Sequence, residues 1–267
     1  MISEPPVVVR TVAGLRTGTC VAGSGLPVVA LHGWGGSVRS FWPVAERLAG
    51  EGFAMHLLDL PGFGHSDPPL APWGVTDYMR FVLAYLDASD LPRVALLGHS
   101  FGGRIGLVLA AQHPERISKM VLANSAGLRT PLSRTQQVRS IVARAARQTL
   151  DRAHLISVRE RLQASYNRRY ASADYLSAGP LRETFLRVIA EDLTPYAVQV
   201  QAPTVLIWGD RDADTPLWQG RKLEQLIPDA GLIVFEGAGH FSYLERLNDY
   251  LRIVVHFLGD RSGPAHG

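Results

Sequence analysis

The chain has 267 residues, 46% of them hydrophobic, with 27 basic against 24 acidic side chains and a net charge of +3. That balance excludes a disordered polymer and supplies apolar surface for one large core. No apolar run reaches the ~18–20 residues of a membrane span, the MISEPPVVVR start lacks a basic head before an apolar stretch, and one cysteine, Cys20, allows no internal disulfide; together these predict a cytoplasmic protein without a secretory signal.

Two β-type runs open the chain, at 7–12 and 17–22. Cys20 lies in the second, in a hairpin context (TGTCVAGSG) unsuited to a catalytic thiol. The run PVVALH at 27–32 ends in glycines, as a buried parallel strand does. A helical stretch at 41–48 and a strand at 53–60 follow. Thr76 is expected to cap a helix with Tyr78, Phe81, Val82 and Tyr85 on one face. Next come a strand at 94–97, a helix at 105–112 and a strand at 120–123. After an interruption, strands at 204–208 and 232–235 each lead into a helical pattern, the last at 243–258. The alternation predicts an α/β fold, a mostly parallel sheet with helices on both faces. The tail, GDRSGPAHG, is expected to fray.

The interruption at 126–201 contains helical periods and no convincing strand. Ser133 caps the first pattern, with Val138, Ile141, Val142, Ala145 and Leu150 inward. Leu155, Val158 and Leu162 mark a second. Leu181, Phe185, Val188 and Ile189 mark a third, from Pro180 onward. This predicts a core of 1–126 and 202–258, a helical cap of 127–201, and a disordered tail of 259–267. Residues 129–187 hold twelve arginines, no lysine and four acids, a net +8 that leaves the rest of the chain at −5. The arginines either coat wet helix faces or guide an acidic substrate or an acidic carrier protein to the cleft. No aromatic interleaving accompanies them, so nucleic acid is not expected.

The chemistry centres on VALLGHSFGG at 94–103. A buried strand that stops at Gly98 and restarts as a helix needs a tight turn with Ser100 at its apex. Small neighbours permit a strained backbone there, and the hydroxyl then leaves the carboxyl edge of the sheet beside a helix N-terminus. The pattern fits the G-x-S-x-G nucleophile elbow. A serine needs a base, and the base an orienting acid, in chain order Ser, acid, His. His240, in EGAGHFSYLE just past a strand, is the base. His256 falls inside the last helical pattern as a packed residue, and His266 lies in the tail. Among Asp210, Asp212 and Asp214 at the end of TVLIWG, Asp212 is the expected acid and Asp214 its rival; turn chemistry or helix capping accounts for the others. Backbone N–H groups of Phe101 and of Trp34, in HGWGG, are the expected oxyanion donors. The Trp34 side chain becomes a pocket wall or core packing. His32 is a structural hydrogen-bonding residue. His65 and His99 have no assigned partner; His99 and Phe241 are candidate pocket residues.

The pieces HGWGG, DLPGFGHSD, GHSFGG, WGDRDADTP and GAGHFSYLE, over about 28–257, resemble the α/β-hydrolase superfamily. The HGWG and DLPGFG stretches are similar to those of carboxylesterases that demethylate pimeloyl-carrier esters. The resemblance implies an eight-stranded sheet, a cap between its sixth and seventh strands, and no metal or organic cofactor. Related haloalkane dehalogenases and epoxide hydrolases use an aspartate where this chain has Ser100, and prolyl aminopeptidases show GGSWG at the elbow. C–C bond hydrolases of aromatic degradation usually carry Trp after the catalytic His, where this chain has Phe241. Perhydrolases, and receptors that keep the triad but hardly turn over, share the motifs. Carboxylic ester hydrolysis through an acyl-enzyme on Ser100 is the remaining default.

Overall fold

The computed structural model of the protein describes residues 5–129 and 173–259. Eight strands form one sheet in the order β1-β2-β4-β3-β5-β6-β7-β8. They are β1 Val8–Val12, β2 Leu15–Ala22, β3 Leu26–Leu31, β4 Phe53–Leu58, β5 Val94–His99, β6 Ile117–Ala123, β7 Thr204–Gly209 and β8 Ala230–Phe235. β1 pairs antiparallel with β2, and β2 antiparallel with β4; every pairing from β4 through β8 is parallel. Cys20 is buried in β2, a packing residue as its hairpin setting implies.

Successive strand residues face opposite sides of the sheet, and the core divides accordingly. Val29 and Leu31 join one cluster, packed by α2 (Val75–Ala88) and α3 (Phe101–Gln112). Val28 and Ala30 join the other, packed by α1 (Val38–Leu48) and by the last helix. Between β6 and β7 lie α4 (Ala173–Ser177), α5 (Arg182–Ala190) and α6 (Thr194–Ala197). Then come α7 (Leu217–Leu226) after β7, and α8 (Ser242–Glu245) and α9 (Leu247–Gly259) after β8. The third helical period of the insert is α5, entered by a 3-10 turn at Gly179–Leu181. The first two periods, with Ser133, Leu150, Leu155 and Leu162, lie outside the described residues, as do His266 and most of the tail.

Several boundaries differ from the sequence expectation, each for a local reason. The first helix starts at Val38 rather than 41, because Ser37 caps it: its hydroxyl accepts from the Arg39 N–H, and the Ser40 hydroxyl accepts from the Ser37 N–H. Thr76 is not a cap. The helix starts at Val75 after Gly74, whose N–H donates to the Asp77 carboxylate at 2.9 Å. β4 ends at Leu58; the Asp59 N–H still donates to the Gly18 carbonyl of β2 at 2.8 Å, while its carboxylate serves as a buried acceptor. β5 runs through His99 and α3 begins at once at Phe101, four residues before the apolar period announces it. The 243–258 pattern is two helices, broken at Arg246, which sits at φ −122° and ψ 45°. His256 is on α9 but exposed, not packed; that helix buries Tyr250, Val254 and Leu258 instead.

Candidate active site

Ser100 occupies the single residue between β5 and α3, at φ 50° and ψ −107°. A non-glycine there costs on the order of 1–3 kcal/mol, so the surroundings must impose it. They do so through close packing. A Cβ on Gly102 would strike the Leu31 carbonyl oxygen, and one on Gly103 the Ser125 hydroxyl. The Ser100 N–H donates to the Ala123 carbonyl at 3.2 Å, and its own carbonyl accepts from the N–H groups of Gly103 and Ala126, both at 3.1 Å. The elbow is thus clamped to β6 as well as to its own helix.

His240 follows β8 in a loop. Its Nδ1–H donates to Asp212 Oδ2 at 2.9 Å, which leaves Nε2 as the acceptor in the neutral ring. Asp212 is 5% exposed. Its Oδ1 accepts the N–H groups of Asp214 and Thr215 at 2.8 and 2.9 Å, and its Oδ2 accepts Thr215 Oγ1–H and Asn124 Nδ2–H, both at 2.6 Å. Burial raises the Asp212 pKa, but the hydrogen bonds from His240 and Thr215 outweigh it and bring it to about 2. One carboxylate therefore shapes the turn and holds the imidazole. Asp214, the rival, lends that turn its N–H, and its side chain is exposed; neither it nor Asp210 caps α7, whose N-cap is Pro216. Asp210 accepts the Gly237 N–H at 2.7 Å, a tie between neighbouring turns.

His99 does have a partner: its Nε2–H donates to the His240 carbonyl at 3.0 Å. Its ring lies 4.9 Å from that of His240 and 5.1 Å from that of Phe241. Burial, then the neighbouring His240, lowers the His99 pKa to about 3, so it is neutral and braces the His240 loop. His32 is structural as expected, with Nδ1–H donating to the Gly33 carbonyl at 2.7 Å and Nε2 accepting the Leu60 N–H at 3.0 Å. His65 Nδ1 lies 3.1 Å from Asp59. Asp59 is fully buried and also accepts the N–H of Val38 at 2.7 Å and of His65 at 2.8 Å, which ties the DLPGFGHSD loop to the start of α1.

The Phe101 N–H is the first of α3 and has no acceptor within the helix. Among the described residues the Trp34 N–H also has no hydrogen-bond acceptor. The Trp34 ring makes edge contacts with Phe63, Phe101 and Phe185 at centroid distances of 4.9, 5.3 and 4.9 Å, so it is both packing and wall. Two cavities meet here. One of about 310 Å³ is lined by Trp34, His99, Ser100, His240 and Phe241. A larger one, about 580 Å³, extends from Ser100 and His240 under α5, past Phe101, Leu128, Phe185 and Val188. Trp34, Ser100, Asp174, Asp214 and His240 line both. Asp212, Asp214 and His240 bring ligand-type atoms within 4.8 Å of one another, the one such cluster among the described residues. The oxygens of Asp212 are already taken up by N–H and O–H donors, which compete with any cation.

Asn124 is the main residue missed from sequence. The end of β6 offers no carboxylate, yet Asn124, buried at φ 46°, donates to Asp212 and accepts the Ser242 hydroxyl. Its left-handed backbone, which asparagine tolerates better than most residues, becomes visible only in the structure.

The family model for the alpha/beta hydrolase fold matches residues 27–247, and the chain belongs to that family. The pimeloyl-[acyl-carrier protein] methyl ester esterase of Chromobacterium violaceum is 32% identical over 249 residues, covering 88% of this chain and 95% of that protein. The 2-hydroxy-6-oxo-6-phenylhexa-2,4-dienoate hydrolase of Comamonas testosteroni is 28% identical over 264 residues, covering 90% of each. Among solved structures, the enol-lactonase of Burkholderia xenovorans superposes with a TM-score of 0.73 at 26% identity, over 95% of this chain and all of that one. Among the described residues no helix is long and apolar enough to cross a membrane.

Proposed function

We propose that the protein is a serine hydrolase that cleaves carboxylic esters through an acyl-enzyme on Ser100, with residues 127–201 acting as a cap over a core of 1–126 and 202–258. One observation carries this reading: Ser100, at a positive φ between β5 and α3, shares a cavity with His240, whose Nδ1–H is bound by buried Asp212 at 2.9 Å. His240 Nε2 takes the Ser100 proton as Oγ attacks the ester carbonyl. The Phe101 and Trp34 N–H groups receive the oxyanion. The same imidazole hands its proton to the departing alkoxide, then draws one from water, whose oxygen attacks the acyl carbon. The C–Oγ bond breaks, the acid leaves, and Ser100 recovers its proton. Asp212 fixes the tautomer and stabilises the imidazolium without itself being protonated. The esterase relative supports the ester reading.

A second reading, C–C bond hydrolysis by the same groups, is favoured by the dienoate hydrolase relative and opposed by Phe241 in place of the usual Trp. Initial rates on p-nitrophenyl esters from acetate to dodecanoate, with Ser100→Ala as blank, decide between them. Ester hydrolysis predicts multiple turnovers that fall by about 10⁴–10⁶ in Ser100→Ala or His240→Ala. A single burst, or no hydrolysis by folded protein, refutes the ester reading in favour of a C–C hydrolase or a binding protein with little turnover.

A further inference from the structure

The larger cavity contains two polar groups whose bonding is incomplete. Arg104 lies on α3 one turn beyond Ser100 and is 7% exposed. Its Nη1 donates to the carbonyls of Val188 and Glu191, both at 3.0 Å, at the C-terminal end of α5. Among the described residues no carboxylate is within ion-pair distance of it. The Glu191 carboxylate accepts the Val75 N–H at 2.8 Å, and Asp192 binds Thr194. Burial lowers the Arg104 pKa to about 10, so the guanidinium is charged at neutral pH. Glu191 and Asp192 act on this charge from beyond ion-pair distance, so its burial is only partly compensated. Among the described residues Nε and Nη2 have no hydrogen-bond partner, and Arg104 lines the cavity.

Gln219, on α7, is 3% exposed and lines the same cavity. Its Oε1 is fully enclosed without a partner. An orphaned buried amide oxygen is costly to leave unpaired, and enclosed as it stands it meets a ligand only when the amide turns. Rotation about the last torsion exchanges the amide C=O and N–H ends, so Gln219 can accept from or donate to that ligand. Capping of α5 explains the Nη1 bonds of Arg104. It explains neither why a guanidinium lines the cavity nor Gln219.

We propose that the larger cavity binds an acyl group bearing a carboxylate of its own, with Arg104 as its counter-charge and Gln219 as a second polar contact. This rests on the reading of Ser100 as the nucleophile. The cavities give the substrate a direction. Asp174 and Asp214 line both cavities and so stand at the shared Ser100 end, whereas Arg104, Arg129 and Gln219 line only the larger one. The carboxylate therefore belongs deep in the larger cavity, away from the shared Ser100 end, and the proposal assigns that cavity to the acyl arm.

The test compares two esters of equal acyl length, mono-p-nitrophenyl glutarate and p-nitrophenyl pentanoate, on each protein. The ratio of their kcat/KM values does not depend on the fraction of folded enzyme. The wild type should favour the glutarate at least tenfold. Arg104→Met should bring the ratio to about one or below, Arg104→Lys should keep part of the preference, and Gln219→Leu should reduce it mainly through KM. A wild-type ratio of one or less, with both esters turned over, overturns the acidic-acyl proposal and leaves the serine mechanism standing. If neither ester is hydrolysed, free glutarate is titrated against the Tm of Ser100→Ala. A rise abolished by adding Arg104→Met supports the carboxylate site while the nucleophile reading fails; no rise overturns the site.

Discussion

At the scale of single residues, the candidate site is organised by polar groups whose partners are fixed. Asp212 accepts from two turn N–H groups, a hydroxyl, an amide and an imidazole, so its charge cannot drift from His240. Asn124→Gly keeps a backbone suited to φ 46° but deletes the amide donor and the acceptor for Ser242. Loss of a charge-assisted bond of this kind predicts a fall in kcat of about 10–100-fold, with the fold retained. An unchanged kcat in ester assays would remove Asn124 from the positioning shell. Asn124 was not legible because nothing in ANS distinguishes an asparagine that ends a strand from one that bonds a residue 88 positions away. Ser100 and His240 were legible because their glycine-rich surroundings are local.

At the scale of elements, the decisive contact is α3 against the sheet. The helix carries FGGRIGLVLAA, and its first ten residues are all buried. Gly103 is there because a side chain would collide with Ser125 at the end of β6, and Ser125 cannot retreat from a buried strand end. Gly103→Ala should cost about 1–3 kcal/mol of stability and displace Ser100, lowering activity with it. A urea midpoint equal to that of the wild type would show that the helix can shift at no cost. Expectation and structure part at this helix start. Periodicity begins at Ile105, where apolar residues recur, but the first helical turn is made of residues chosen for closeness rather than hydrophobicity. Arg104 was passed over for the same reason, although one charge inside an otherwise apolar helix is itself a signal.

At the scale of the whole molecule, the titrating groups make the fold sensitive to acid. The His99 pKa falls from 6.5 to about 3 on folding, chiefly through burial, so below 6.5 the unfolded chain binds a proton that the folded chain refuses. Stability is complete above pH 6.5 from this source and declines toward pH 3. Asp212, with a folded pKa of about 2 against an ordinary 3.8, adds stability that is present above pH 3.8 and lost as pH falls through 2. Both slopes have the same sign, in adjoining windows. Thermal unfolding between pH 8 and 4 should show Tm dropping below about pH 6.5, and His99→Phe should flatten that upper part of the decline. Parallel wild-type and mutant curves would show that His99 is not its source.

The sequence alone determined the class of fold, the order of its strands and helices, the elbow serine, the histidine after the last strand and the aspartate-bearing turn. All of these follow from local patterns: apolar period, glycine spacing and chain order. Tertiary structure decided which aspartate meets His240, that Asn124 and Thr215 hold it, that His65 meets a buried Asp59, and that Arg104 and Gln219 face one cavity. Such pairings, with that of His99 and His240 among them, join residues up to 141 positions apart. They are set by how the sheet brings its strand ends to one edge, a property of packing that no stretch of neighbouring residues contains.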